Sequence, residues 1–284
     1  MKRKFLRIPL ALVVSLFLLP CVGKAQEPEM VDENPVYTVI NIDTPELPQK
    51  GKGIYHIDVR APGGQEGKTY YGFGGQFGLK PNLSLLGKIT ISDKRDLISG
   101  GGFYRSGGIE TEIGLKLRLH STSKSAFSAQ AGLLFLEGSE PSIAGIGQNR
   151  FVSRQKGAQA VLQVHISQKI GAKTTLYFVP KAILGSKTLV SLGGGVNHQF
   201  NEDWAIMGDL QGPISGNNTF DLTKGIGIQS PVWGIAARYS PAIYKDKISL
   251  DVGVTNGLGR TTLYSAQPAV SGSTAFYIHF LYRN

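Results

Sequence analysis

Eleven charged side chains stand at alternate positions along otherwise apolar stretches, and any chemistry in the chain starts with them. Five are acidic: Asp58, Glu110, Glu112, Asp209 and Asp251. Six are basic: Arg60, Lys88, Lys116, Arg118, Lys181 and Arg238. In "GIETEIGLKLRLH", Ile109, Ile113, Leu115, Leu117 and Leu119 alternate with Glu110, Glu112, Lys116, Arg118 and His120. Charges spaced in this way share one face of an extended chain. A nearly balanced face has two uses. Opposite charges can pair across strands and fill the space between them, or they can line a watery passage with weak ion preference. Catalysis fits less well, because a nucleophile needs a base beside it. The histidines His56, His120, His165, His198 and His279 fall one per stretch, and His165 with Ser167 is the closest pairing to a dyad. There is no His-x-x-x-His and no calcium-loop pattern. "GFGGQFG" lies in an alternating stretch, and "NGLGRTT" lacks the Lys-Ser/Thr ending of a phosphate loop. The expectation is no enzyme, no metal and no cofactor.

The elements that must position these charges are long strands. On a helix the charges of 108–120 would wrap all the way round, whereas a period of two separates oil from charge cleanly. The pattern holds for about twice the usual five or six residues of a soluble strand, and a tilted strand crossing a bilayer needs about 9–11. Twelve such stretches follow one another from residue 53 to the end. They centre on residues 55–60, 70–79, 83–91, 108–120, 127–135, 158–167, 175–182, 190–200, 204–211, 233–239, 248–255 and 276–282. Pro180 inside the seventh predicts a bulge. His198 falls on the apolar face of the eighth, near its end, where an interface would suit it. Leu134, Leu136 and Val161 fall on the polar face and leave a hydrophobic-solute carrier as a variant.

The connections alternate long and short, with "GSK" at 185–187 the exception. Ser92–Gly107, Gly138–Lys156, Gly212–Pro231 and Asn256–Ser273 are the long ones. Membrane barrels sort their loops in this way, and an even strand number places both termini on the short-turn side. Hydrocarbon leaves no partner for an open strand edge, so the strands must close. The fold expected is all-β, a transmembrane antiparallel up-and-down barrel of about twelve strands over 53–284. Tyr70, Tyr71, Phe77, Phe200, Trp204, Trp233, Tyr239, Phe276 and Tyr282 sit near strand ends, as in an interfacial girdle. The outer loops carry Lys94, Arg95, Arg105, Arg150, Arg154, Lys156, Lys187, Lys224 and Arg260, which would draw anionic solutes or meet anionic lipopolysaccharide.

The N-terminus "MKRKFLRIPLALVVSLFLLPCVGKAQ" reads as a secretory signal over 1–25, cleaved before Gln26. Its removal takes Cys21, the only cysteine, and five basic residues, which leaves 25 basic against 20 acidic. A balance of +5 is a weak argument for nucleic acid, and no nucleic-acid partner is expected. Residues 26–52 form an acidic, proline-rich leader. Within it "VYTVINID" (37–44) suits a short strand or a segment docked on or inside the body.

The chain from residue 26 resembles bacterial outer-membrane β-barrels of the porin-like kind. "STAFYIHFLYRN" resembles their C-terminal assembly strand, with Phe276, Ile278, Phe280 and Tyr282 in the alternating aromatic pattern. It departs from that pattern by ending Arg283-Asn284. "DTPELPQKGKG" (43–53) looks like the entry to the first strand in some barrel families. The resemblance implies an outer-membrane location with periplasmic termini. The partners it implies are lipid and lipopolysaccharide, the barrel-assembly machinery, small solutes and, in an oligomer, further copies of the chain. Three roles stay open: a passive pore for small solutes with weak charge selectivity, a closed-lumen structural, adhesive or envelope-export barrel, and a soluble secreted β protein.

Overall fold

The computed structural model describes residues 36–62, 69–99, 102–138, 157–185, 188–221, 226–244, 247–268 and 274–284. Two short strands, β1 (Thr38–Val39) and β2 (Ile42–Asp43), form a hairpin of their own. The wall begins at β3 (Gly53–Pro62) and continues through β4 (Tyr70–Lys80), β5 (Leu83–Ser99), β6 (Gly102–Ser121), β7 (Ser125–Gly138), β8 (Gly157–Ile170), β9 (Thr174–Leu184), β10 (Leu189–Gln199) and β11 (Trp204–Ser215). A small hairpin follows, β12 (Thr219–Asp221) with β13 (Ile226–Ile228), before the wall resumes with β14 (Val232–Tyr239), β15 (Ile248–Thr255) and β16 (Ala275–Arg283). Neighbours along the chain pair antiparallel, and β16 pairs with β3, so twelve strands close into a barrel with no free edge.

The period of two decides which face is which. Along β6, Ile113 and Leu115 are exposed outside, while Glu110, Glu112 and Lys116 are buried inside. The same inversion runs through β3, where Tyr55 and Ile57 are exposed and Asp58 and Arg60 buried. A protein made for water buries its oil; this one displays it in a continuous belt and buries its charge, the arrangement that lipid requires. Trp204 and Tyr239 pair across β11 and β14 at the rim of the belt, with ring centroids 4.7 Å apart. Tyr71, Phe77, Phe200, Phe276 and Tyr282 are also exposed. Tyr70 does not join them. Its parity along β4 turns it inward, where it is buried against Leu258.

Two local expectations fail for reasons visible in the backbone. Pro180 produces no bulge: the β8–β9 register is the same on either side, Gln163↔Lys181 and Ile166↔Phe178, with the rungs between them missing. A proline lacks the N–H those rungs need, and the long ladder tolerates the gap. The stretch from Ser92 to Gly107 is not a long loop. A shift between Ser92 and Arg95 lets pairing resume, and β5 and β6 extend to Ser99 and Gly102 beyond the belt. The other connections keep their sorting. Residues 81–82, 122–124, 171–173 and 200–203 are short turns at one end, residues 240–244 after β14 lie there too, and Gly53 and Arg283 lie at that same end.

Candidate functional site: a lumen filled from both ends

From the short-turn end the leader runs into the barrel. Val39, Ile40 and Ile42 pack against inward-facing Tyr177, Val179, Met207, Ala236 and Tyr277. Full burial of such side chains contributes about 1.5–3 kcal/mol each. The wall is cut to fit them. A Cβ at Gly195 would stand 2.7 Å from Ile42 Cδ1, one at Gly234 2.7 Å from Ile40 Cγ2, and one at Gly193 3.1 Å from Ile42 Cγ2. Glycine is required at these places because the leader's side chains occupy the space a side chain of the wall would take.

The wall's charges hold the leader's polar atoms. Asp209 accepts from the Asn41 backbone N–H at 2.5 Å and from its side-chain amide at 2.8 Å. Arg60 donates to the Asn41 amide oxygen at 2.6 Å and to the Ile40 carbonyl at 3.1 Å. Arg238 reaches the Thr38 carbonyl at 3.1 Å. Lys88 pairs with Asp43, and Lys116 donates to the Thr44 and Glu46 carbonyls. Arg118 donates to the Leu47 carbonyl at 3.3 Å and lies 3.6 Å from the Glu46 carboxylate. Burial alone would raise the Asp43 carboxyl, but Lys88, then Arg260, His165 and Lys116, outweigh it and hold it well below the usual carboxylate range. The anchor's contribution is therefore complete above the free-carboxylate value of about 3.9 and is lost as pH falls through the lower folded value.

The opposite end is narrowed by the connection between β15 and β16. Expected as an outer loop, its residues 256–268 turn inward and bury Leu258, Arg260, Thr261, Thr262 and Ala266. Glu112 accepts from the Thr262 N–H at 2.7 Å and its hydroxyl at 2.9 Å. Lys181 donates to Ser265 at 3.2 Å, and Thr90 accepts from the backbone of Arg260 and Thr261. Ala266 packs on Leu134, Val161, Ile183 and Leu189, with Leu136 beside them, so the apolar lumen patch is a seat for the chain itself. Arg260, expected on the surface, is buried with its guanidinium 3.2 Å from the Ile40 carbonyl. Loop and leader thus meet inside the barrel.

Of the eleven sequence-derived charges, ten are buried toward the lumen and Arg118 is half-buried at its short-turn end. They do two kinds of work, and Arg60 and Arg238 do both. Arg60–Asp58 at 2.8 Å and Arg238–Asp251 at 2.7 Å are ion pairs within the wall. His279 adds a 2.7 Å bond to Asp251. Lys88, Lys116, Arg118 and Asp209 hold the leader, while Glu112 and Lys181 hold the loop. Glu110 lies opposite Thr90 and is buried. His165 meets Ser128 at 3.3 Å rather than forming the suggested dyad with Ser167. His198 bonds Thr174 at 2.9 Å and packs edge-on to Phe200, close to the end of β10. Of the basic loop residues, Arg150, Arg154, Lys156, Lys187 and Lys224 fall outside the described residues, as does the segment 1–35.

The two kinds of charge predict different phenotypes. Arg238→Ala leaves Asp251 buried beside a histidine, and breaking a buried pair costs about 3–5 kcal/mol. The folded, fast-migrating form should convert to the unfolded form at a clearly lower temperature on semi-native gels. Glu112→Ala gives up its wall contacts with Gln130 and Lys88 and releases the loop, since each hydrogen bond to a charged group contributes about 1.5–3 kcal/mol. Trypsin should then cut after Arg260, a site buried in the parent protein, as read by mass spectrometry of the fragments.

No family model matches the chain, and no curated protein does. Among solved structures it is similar to the KdgM porin in complex with disordered oligogalacturonate, at 12% identity over 81% of this chain and 98% of that one, TM-score 0.48. It is also similar to an outer membrane channel from Pseudomonas putida F1, at 13% identity over 84% and 97%, TM-score 0.47. A third is the Pseudomonas putida toluene transporter TodX, at 11% identity over 83% and 89%, TM-score 0.43. These neighbours are outer-membrane porin-like barrels.

Proposed function

We propose that the chain is an outer-membrane channel for small solutes, held shut in this structure by its own leader. One observation carries the reading: most of the lumen charges hold separable pieces of chain rather than one another. A barrel filled for strength alone would pair its wall charges with one another, as Arg60–Asp58 does along β3 and Arg238–Asp251 does across β14 and β15. Here Asp209 and Lys88 bond the hairpin that enters from one end, and Lys116 and Arg118 bond residues 44–47, which lead from it to the wall. Withdrawing that segment opens a lumen whose eleven wall charges as a whole, five acidic and six basic, nearly balance, a lining with weak ion preference. The barrel spans the membrane with the signal over 1–25 removed and both termini and the short turns in the periplasm. It performs no catalysis. The apolar belt meets lipid and lipopolysaccharide, and β16 is the strand presented to the assembly machinery.

The test is swelling of liposomes carrying the protein in an uncharged sugar. The full chain should admit the sugar slowly, and a variant lacking residues 36–47 should admit it quickly. Equal, negligible rates in both, with the barrel folded, would favour a closed structural or export-partner barrel.

A further inference from the structure

At the short-turn end lies a cavity of about 670 Å³, within the range of small-molecule sites. The turns at Pro81, Ser121–Ser125 and Ala172–Lys173 form its rim, and the leader residues Tyr37, Glu46, Leu47 and Pro48 form its floor. Its charge is one-sided. Lys50, Lys52, Arg118, Lys124, Lys169 and Lys173 line it, and Arg283 stacks on Tyr37 at 5.5 Å. Glu46 is the one acidic side chain among the lining residues, and Arg118 already holds it. The lumen behind is nearly neutral, so this concentration of cations is local to the mouth.

The six cations come from four separate places: the leader's exit (Lys50, Lys52), the inner end of β6 (Arg118), the β6–β7 turn (Lys124) and the two sides of the β8–β9 turn (Lys169, Lys173). Among the described residues, Lys50, Lys52 and Lys124 hold no carboxylate, and Lys173 spends one donor on the Phe200 carbonyl at 2.9 Å. Like charges converging on a concave site repel one another, and an anion between them relieves that repulsion while it gains several charge-assisted bonds. One carboxylate reaches only one or two of these groups. A solute with two or three carboxylates reaches across the ring.

We propose that this vestibule binds a small multivalent carboxylate solute, and that this is the solute class of the channel. The proposal rests on the channel reading for its second half and stands alone for its first. A bound carboxylate lies directly on the leader and shares Arg118 with Glu46, so the solute sits where it can loosen the segment that bars its way.

The experiment is calorimetric titration of the full-length protein in zwitterionic detergent, with citrate as the multivalent probe and glucose as the uncharged one. Citrate should bind saturably at one site and glucose should not bind. The triple variant Lys50→Gln, Lys124→Gln, Lys173→Gln changes only exposed turn and mouth residues, and heat-modifiability verifies its fold. It should weaken citrate by about tenfold or more, as expected for the loss of three exposed ion pairs. Absence of saturable citrate binding, or equal binding by the folded triple variant, overturns the proposal. A further variant with Glu27, Glu29, Asp32 and Glu33 changed to their amides separates an external solute from the chain's own acidic stretch: citrate binding that appears only there also overturns it. Citrate binding by a protein that never conducts would leave the site standing and sink the channel reading. Conduction without citrate binding would do the reverse.

Discussion

Replacing Gly195 and Gly234 together by leucine is expected to open the lumen without dismantling the barrel. Both positions face inward on wall strands, and neither is needed for a turn: β10 and β11 pair through Gly195↔Asp209, and β11 and β14 through Asp209↔Gly234. Their hydrogen for a side chain makes room for Ile42 and Ile40. Forcing extra carbon into a packed seat costs about 1–3 kcal/mol per site. In the wall the new leucines have somewhere to go, because the hairpin can leave. The strain therefore falls on the seated state alone. At about 1.4 kcal/mol per tenfold change, two such sites raise the ratio of open to closed barrel on the order of a hundredfold. The measure is the open fraction in planar bilayers, read beside an unchanged heat-modifiable band. A variant that folds and stays as closed as the parent would mean that the glycines do not define the seat.

Asn41→Asp has an effect of similar size through charge rather than volume. Asn41 offers Asp209 two donors and gives Arg60 one acceptor, and all three side chains are buried. The substitution keeps the shape and exchanges the amide donor for a carboxylate oxygen, 2.8 Å from another. Two carboxylates at that range cannot both stay charged and bonded. Disrupting a buried charged contact costs about 3–5 kcal/mol, enough for at least a hundredfold shift toward the open barrel. Adding Asp209→Asn should restore much of the closed state, since it supplies a neutral partner for the new carboxylate. Rescue by that second change would separate a local electrostatic fault from general damage.

The wall was legible from the sequence because lipid outside and polar filling inside impose one rule on every strand. Alternation alone locates all twelve strands and turns Asp58, Glu112, Lys181 and Asp251 inward. The same rule explains the misplacement of Tyr70, whose parity pointed inward while its position near a strand end suggested the girdle. What fills the lumen was not legible, since it depends on shapes formed by residues far apart in the chain. The seat for Ile40 and Ile42 comes from β9, β10, β11, β14 and β16, and its most telling feature is the side chains missing at Gly193, Gly195 and Gly234. The leader left its docking open, because two-residue strands carry no periodicity of their own. The Asn256–Ser273 connection read as an outer loop from its length. The signal that it turns inward was there in Thr261 and Thr262, short polar residues able to reach Thr90 and Glu112, but only the fold brings those two groups within reach. The β5–β6 extension was hidden by the Ser92–Arg95 shift, which breaks the alternation on which the reading depends.

Single-channel conductance of a tethered leader tests the central claim most directly. Ile42→Cys with Gly195→Cys places one thiol on the hairpin and one on the wall where the two already touch, and the chain's only native cysteine is Cys21. The oxidised protein should hold the bilayer current at baseline. Reduction should restore openings, and deletion of residues 36–47 should give steady ones. A tethered barrel that conducts as freely as the deletion variant would contradict the account, because solutes would then be passing by a route the leader does not guard.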